Sequence, residues 1–236
     1  MLNGLEIVLA GGAGGLGSAA AELLAADGAK LVVSYRSNVQ RARKLQQQAT
    51  LVQADLLNPE DRKRLLDAAP ALYGLVVFAG EPARVKNQDE LATSALRSQE
   101  VNYLGPMLLA REAAARMQAA GTPGAIVLFS TMQAVHLFAG STAYAAAKAA
   151  LQHSARLLAK ELRAANIRVN VIAPGVTAAG MAEASIAAGK YDHFLSSGIV
   201  PRFGQAIDVA RAVRFFLEPD NYITGQVLSV DGGATL

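Results

Sequence analysis

Short, mostly apolar runs alternate with amphipathic or alanine-rich stretches along the whole chain. Residues 5–10, 30–35, 50–53, 75–79, 125–129, 167–173 and 226–230 are brief and rich in Val, Ile and Leu, which predicts strands buried on both faces. Between them, 18–26, 39–48, 89–120, 141–165 and 208–217 read as helices. Another helix begins at Pro59 with Asn58 as its cap. Asn102 and the pair Gly105-Pro106 place a kink inside the longest run. Strict alternation of strand and helix predicts a parallel sheet covered on both faces. With no internal repeat or linker, the expectation is a single domain spanning residues 1–236.

Composition narrows the classes. Apolar residues make up 52% of the 236 and charged ones 17%, enough for a sizeable core. The net charge of +3 is small and dispersed, and no basic block with interleaved aromatics points to nucleic acid. There is no cysteine, so disulfides, thiolate catalysis and Cys-based metal sites are excluded. His136, His153 and His193 have no ligand spacing, and no metal site is expected. The first ten residues lack a basic leader, and no apolar run is long enough to span a membrane. A soluble, cytoplasmic protein with no membrane partner is the expectation.

The first strand runs into Gly11-Gly12-Ala13-Gly14-Gly15-Leu16-Gly17, and a helix follows. Strand, glycine turn and helix together offer backbone N–H groups and a helix N-terminus to a phosphate. The second strand ends Tyr35-Arg36-Ser37, with no carboxylate to hold ribose hydroxyls. A guanidinium beside a hydroxyl suits a 2′-phosphate instead, so NADP(H) is expected rather than NAD(H). Asp55, followed by Leu56, ends the third strand, where it could meet an adenine amino group.

Tyr144 and Lys148 lie four apart in a helical run free of Gly and Pro, so their side chains share a face one turn apart. A phenol beside an ammonium is a proton donor, and the cation is expected to lower the Tyr pKa toward a usable range.

Together these features resemble the short-chain dehydrogenase/reductase family, over essentially the whole chain and in its compact, 3-oxoacyl-reductase-like form. The likeness is carried by Gly11, Gly15 and Gly17, Asp55, Ala79-Gly80, Asn102, Tyr144/Lys148, Pro174-Gly175, Ile223-Thr224-Gly225-Gln226 and Asp231-Gly232-Gly233. It implies a Rossmann-type doubly wound sandwich with a central seven-stranded parallel sheet. It also implies hydride exchange between NAD(P)(H) and a small carbonyl or alcohol. On this analogy Tyr144 gives the proton and Lys148 lowers its pKa and holds the nicotinamide ribose. Asn102 holds a relaying water, and Thr131, with Ser130 as rival, orients the substrate. The cofactor would also meet Ala13, Gly14, Leu16, Ala79, Gly80, Pro174, Gly175, Val176 and Thr177.

Four positions depart from the family pattern. Ala10 replaces a bracing Thr, Val77-Phe78 replaces an Asn pair, Thr131 stands where Ser is usual, and Ala179 where Thr often follows Pro-Gly. They keep open the alternative of a catalytically silent NADP(H)-binding sensor or scaffold; a third reading, an NAD-dependent alcohol dehydrogenase, is opposed by the missing carboxylate after the second strand. Residues 176–200 are weakly patterned and read as a substrate lid. Met132, His136, Leu137, Phe138, Met181 and Phe194 point to an apolar ligand. Leu151, Leu157, Leu158 and Leu162 exceed one core stripe, so a homo-oligomer, dimer or tetramer, is expected.

Overall fold

The computed structural model describes residues 2–83 and 88–236, so part of the polar loop expected at 81–88 lies outside the described residues. Seven strands form one parallel sheet in the order β3-β2-β1-β4-β5-β6-β7. They are β1 (Glu6–Ala10), β2 (Lys30–Tyr35), β3 (Ala49–Gln53), β4 (Leu72–Val77), β5 (Gly124–Phe129), β6 (Ile167–Pro174) and β7 (Val227–Val230). Every residue of β4 and β5 is buried, as expected for a sheet with helices on both sides.

Side-chain alternation divides the core in two. Val8, Val32, Leu75 and Ile126 face α3 (Pro59–Asp67), α5 (Gly105–Ala119) and α6 (Thr142–Leu162). Ile7, Leu9, Val33 and Val127 face α1 (Gly15–Ala26) and α9 (Ala206–Leu217). The chain turns outward in opposite directions from β1 and β4, and the crevice at their carboxyl ends is where this architecture places a ligand.

Several boundaries differ from the sequence reading. β4 starts three residues earlier than expected, at Leu72. Gly74 interrupts its apolar run because Ile7 and Leu217 atoms lie 3.1 Å from where a Cβ would stand. The second helix, α2 (Val39–Arg43), is only one turn and is capped by Asn38. The long run divides into α4 (Leu91–Gln99), a π-helical turn (Glu100–Leu104) and α5, so the expected kink is one wide turn of helix. Pro106 has no N–H to give back to that turn.

Residues 176–200 contain a 3₁₀ turn (Gly180–Ala182), α7 (Glu183–Ala187) and α8 (Asp192–Ser196). They are pinned by a small separate core of Met132, Phe194 and Val200. Of the four leucines read as an excess stripe, Leu151, Leu158 and Leu162 are buried against the sheet. Only Leu157 stands on the outer face, 48% exposed, so the stripe itself is core. Among the described residues no helix is long and apolar enough to cross a membrane, and no cluster of His, Asp or Glu is arranged to hold a metal.

Candidate active site

A cavity of about 720 Å³ lies along the carboxyl ends of β1, β2, β4 and β5. At one end is the glycine loop. Gly11 has φ +73°, and a Cβ there would come within 2.9 Å of the Ala79 nitrogen. A Cβ on Gly17 would stand 2.5 Å from the backbone of Gly12. Helix α1 starts at Gly15 with no side-chain cap and no acidic residue in its first turn. Its N-terminal amides and positive dipole end are therefore left to an outside anion, which is the donor set a pyrophosphate requires.

The brace lost at Ala10 is supplied from elsewhere. The buried Ser34 hydroxyl on β2 accepts the Gly11 N–H at 2.9 Å. The brace lost at Phe78 is replaced by packing, since its ring lies 4.5 Å from that of Phe129 and is tilted by 34°.

The cavity wall includes every residue assigned above to cofactor or catalysis except Asn102. Asn102 is fully buried behind Gly80, where its Oδ1 accepts the Glu81 N–H and its Nδ2 donates to the Glu81 carbonyl, both at 3.0 Å. At the β2 end Tyr35, Arg36 and Ser37 are joined by Asn38 and Arg41, which the sequence reading missed. Capping by Asn38 brings the first turn of α2, with Arg41, over the same opening. Asp55 faces the cavity, but its Oδ1 accepts the Leu57 N–H at 3.0 Å in a local turn. Thr177 is buried, and its hydroxyl donates to the Gly175 carbonyl at 3.2 Å.

At the other end stand Tyr144 and Lys148, on one face of α6. The Lys148 ammonium is buried and donates to the Phe129 carbonyl at 2.8 Å. Burial brings its pKa from 10.5 down to about 7. Tyr144 moves the opposite way to the sequence expectation: burial, then the nearby Tyr191, push its phenol up to about 12. The cation was expected to dominate, but desolvation is the leading cause for both groups, and a lysine easily neutralised near pH 7 is a weak source of field. Among the described residues nothing hydrogen-bonds the Tyr144 hydroxyl, which opens onto the cavity.

Ser130 and Thr131 both reach the wall. The Ser130 hydroxyl is held between the Lys148 carbonyl at 3.3 Å and the Gln152 amide at 2.8 Å. Among the described residues the Thr131 hydroxyl has only a 3.3 Å bond from the Gln133 N–H. Met132, Phe138 and Met181 line this end, as do Tyr191 and Lys190, which no sequence signal marked. His136 and Leu137 do not line it, Leu137 being 95% exposed in solvent, and Phe194 is absorbed into the small core beneath.

Comparison with known proteins places this arrangement. A family model described as enoyl-(acyl carrier protein) reductase matches residues 11–235. Carbonyl reductase family member 4 of Danio rerio is 35% identical over 97% of this chain and 97% of its own length. The 3-oxoacyl-(acyl-carrier-protein) reductase of Mus musculus is 34% identical, over 96% of each. A solved 7α-hydroxysteroid dehydrogenase, complexed with NADH and 7-oxo glycochenodeoxycholic acid, has a TM-score of 0.90 at 30% identity, covering 98% of this chain and 94% of that one. Fold and relatives together define an oxidoreductase built on a dinucleotide-binding sheet. The chain belongs to the short-chain dehydrogenase/reductase family, which uses NAD(P).

Proposed function

We propose that the protein is an NADP(H)-dependent carbonyl reductase acting on an apolar ketone or 3-oxoacyl compound, with Tyr144 as proton donor. The observation that carries this reading is the unpartnered Tyr144 hydroxyl, one helical turn from Lys148 and on the same cavity wall as the glycine loop. When bound, the coenzyme supplies the hydride. Charge then grows on the carbonyl oxygen, and a positioned O–H is the group that stabilises it. A phenol held near pKa 12 stays protonated at neutral pH, and an alkoxide is the stronger base, so the proton moves from Tyr144 to the product oxygen. Lys148, buried and tied to Phe129, is positioned to hold the nicotinamide ribose. Asn102 acts from behind by fixing the Gly80-Glu81 backbone beside Lys148.

The silent-binder alternative drew its support from Thr131 and from the lost braces. Ser34 and the Phe78–Phe129 pair fill two of those losses, which favours catalysis. Arg36 and Arg41 at the β2 end, with no carboxylate after Tyr35, favour NADP(H) over the NAD(H) seen in the steroid dehydrogenase. Arg36→Ala is expected to weaken NADPH about tenfold or more and to leave NADH nearly unchanged in equilibrium titration. Equal effects on both would remove the 2′-phosphate assignment.

Thr131, the less committed of the two hydroxyls, is proposed to orient the substrate carbonyl. Thr131→Val is expected to lower kcat/KM by about tenfold or more, and Ser130→Ala by less. Steady-state kinetics with the reverse ranking would transfer the role to Ser130.

A further inference from the structure

The Arg36 guanidinium is not free. It reaches across the end of β1, from the tip of β2 to the loop after β4, and meets Glu81, with its Nη2 3.4 Å and its Nη1 3.5 Å from Oε2. The Glu81 carboxylate is itself held in place. Its Oε1 accepts from Arg97 Nε at 2.7 Å, and its backbone is clamped at both polar atoms by the buried Asn102. Arg97 is therefore the close partner, and Arg36 the loose one, its side chain half exposed. Arg41, at the same end of the cavity, has no ion pair or side-chain hydrogen bond among the described residues.

A fixed carboxylate this close to the guanidinium is a second anion for the same cation. We propose that Glu81 competes with the cofactor's 2′-phosphate for Arg36 and so sets how tightly NADPH is held. This rests on the NADP(H) reading above and adds a specificity-determining residue to it. A phosphate dianion offers Arg36 a shorter, two-pronged, charge-assisted contact than the long bonds to Oε2, so the phosphate wins, at the cost of the Glu81 contact. NADH has no 2′-phosphate and leaves Arg36 where it is. Arg97 holds the carboxylate in position while Arg36 is exchanged.

The test is a double-mutant cycle read by equilibrium fluorescence titration of the full-length protein with NADPH and with NADH. Glu81→Gln keeps a carbonyl oxygen for Arg97 and removes the charge. It is expected to tighten NADPH about two- to fivefold, the size of an exposed ion pair, and to leave NADH unchanged. In an Arg36→Ala background the same substitution should gain nothing. An absent gain with Arg36 present, or one that persists without it, overturns the inference. If Arg36→Ala weakens NADPH while Glu81→Gln has no effect, only the Glu81 role falls. If Arg36→Ala leaves NADPH binding intact, the cofactor assignment fails and this inference with it. Should Glu81→Gln prove unstable by its melting curve, Glu81→Ala provides the same comparison.

Discussion

Tyr144→Phe is expected to lower turnover by about 10²- to 10⁴-fold while NADPH binds within about threefold of the original affinity. The two effects separate because the phenol contributes one proton and the phenyl ring keeps the shape of the wall. No described residue bonds the hydroxyl, so its loss strands no buried partner and the fold should be unaffected. Neighbouring groups offer no ready substitute. Lys148 is buried and bonded to Phe129, and the Ser130 hydroxyl is committed to the α6 backbone and Gln152. Turnover within tenfold of the unmodified protein would remove Tyr144 from the proton-donor role. Loss of NADPH binding in the same variant would show the ring to be part of the cofactor wall instead.

Lys148→Met should cut turnover by at least about a hundredfold and should also change how stability depends on pH. The buried lysine has a folded pKa of about 7 against an ordinary value of 10.5. Between those pH values the unfolded chain holds a proton that the folded chain does not, so the folded state gains stability as pH rises. Conversely, that stability is lost as pH falls from about 10.5 toward 7, and below 7 the penalty is constant. Over the window the effect is on the order of 5 kcal/mol. Tyr144 acts in the opposite sense higher up: its raised pKa contributes stability present below pH 10 that is lost as pH rises through 12. The difference between wild type and Lys148→Met, followed by chemical denaturation from pH 7 to pH 9.5, therefore isolates the lysine. Wild type should steepen upward relative to the variant. Parallel curves would mean that Lys148 is solvated and its burial carries no penalty.

Local chemistry made much of the molecule legible in advance. The run that became β5 is apolar throughout, and those of β1, β2 and β6 are dominated by Val, Ile and Leu despite Glu6, Lys30, Ser34, Arg168 and Asn170, because a parallel sheet buries both faces. The glycine turn and the Tyr144/Lys148 pair depend on short-range spacing, so their positions on the wall follow from the sequence alone. What could not be read are contacts between segments distant along the chain. Ser34 bracing Gly11 is a neighbour only after β1 and β2 pair. Phe78 looked like a defect until Phe129 arrived beside it from β5. Gly74 disguised the start of β4 because the reason for a small residue there is a leucine 143 positions later, at Leu217. The direction of the Tyr144 shift was misjudged for the same reason. Spacing reveals a cation one turn away, whereas the burial that raises the phenol depends on the whole surrounding fold. Phe194 and Leu137 show the converse, as two apolar residues both expected at the ligand that end in a core and in solvent respectively.

The most direct test of the central claim follows the hydrogen itself. The protein would be incubated with NADPH deuterated at its transferable position and a panel of apolar ketones and 3-oxoacyl thioesters, and the products weighed by mass spectrometry. The account predicts an alcohol carrying one deuterium on the former carbonyl carbon, formed by the unmodified protein and not by Tyr144→Phe. NADPH bound tightly with no labelled alcohol from any carbonyl would contradict it and leave a protein that holds the coenzyme without using it.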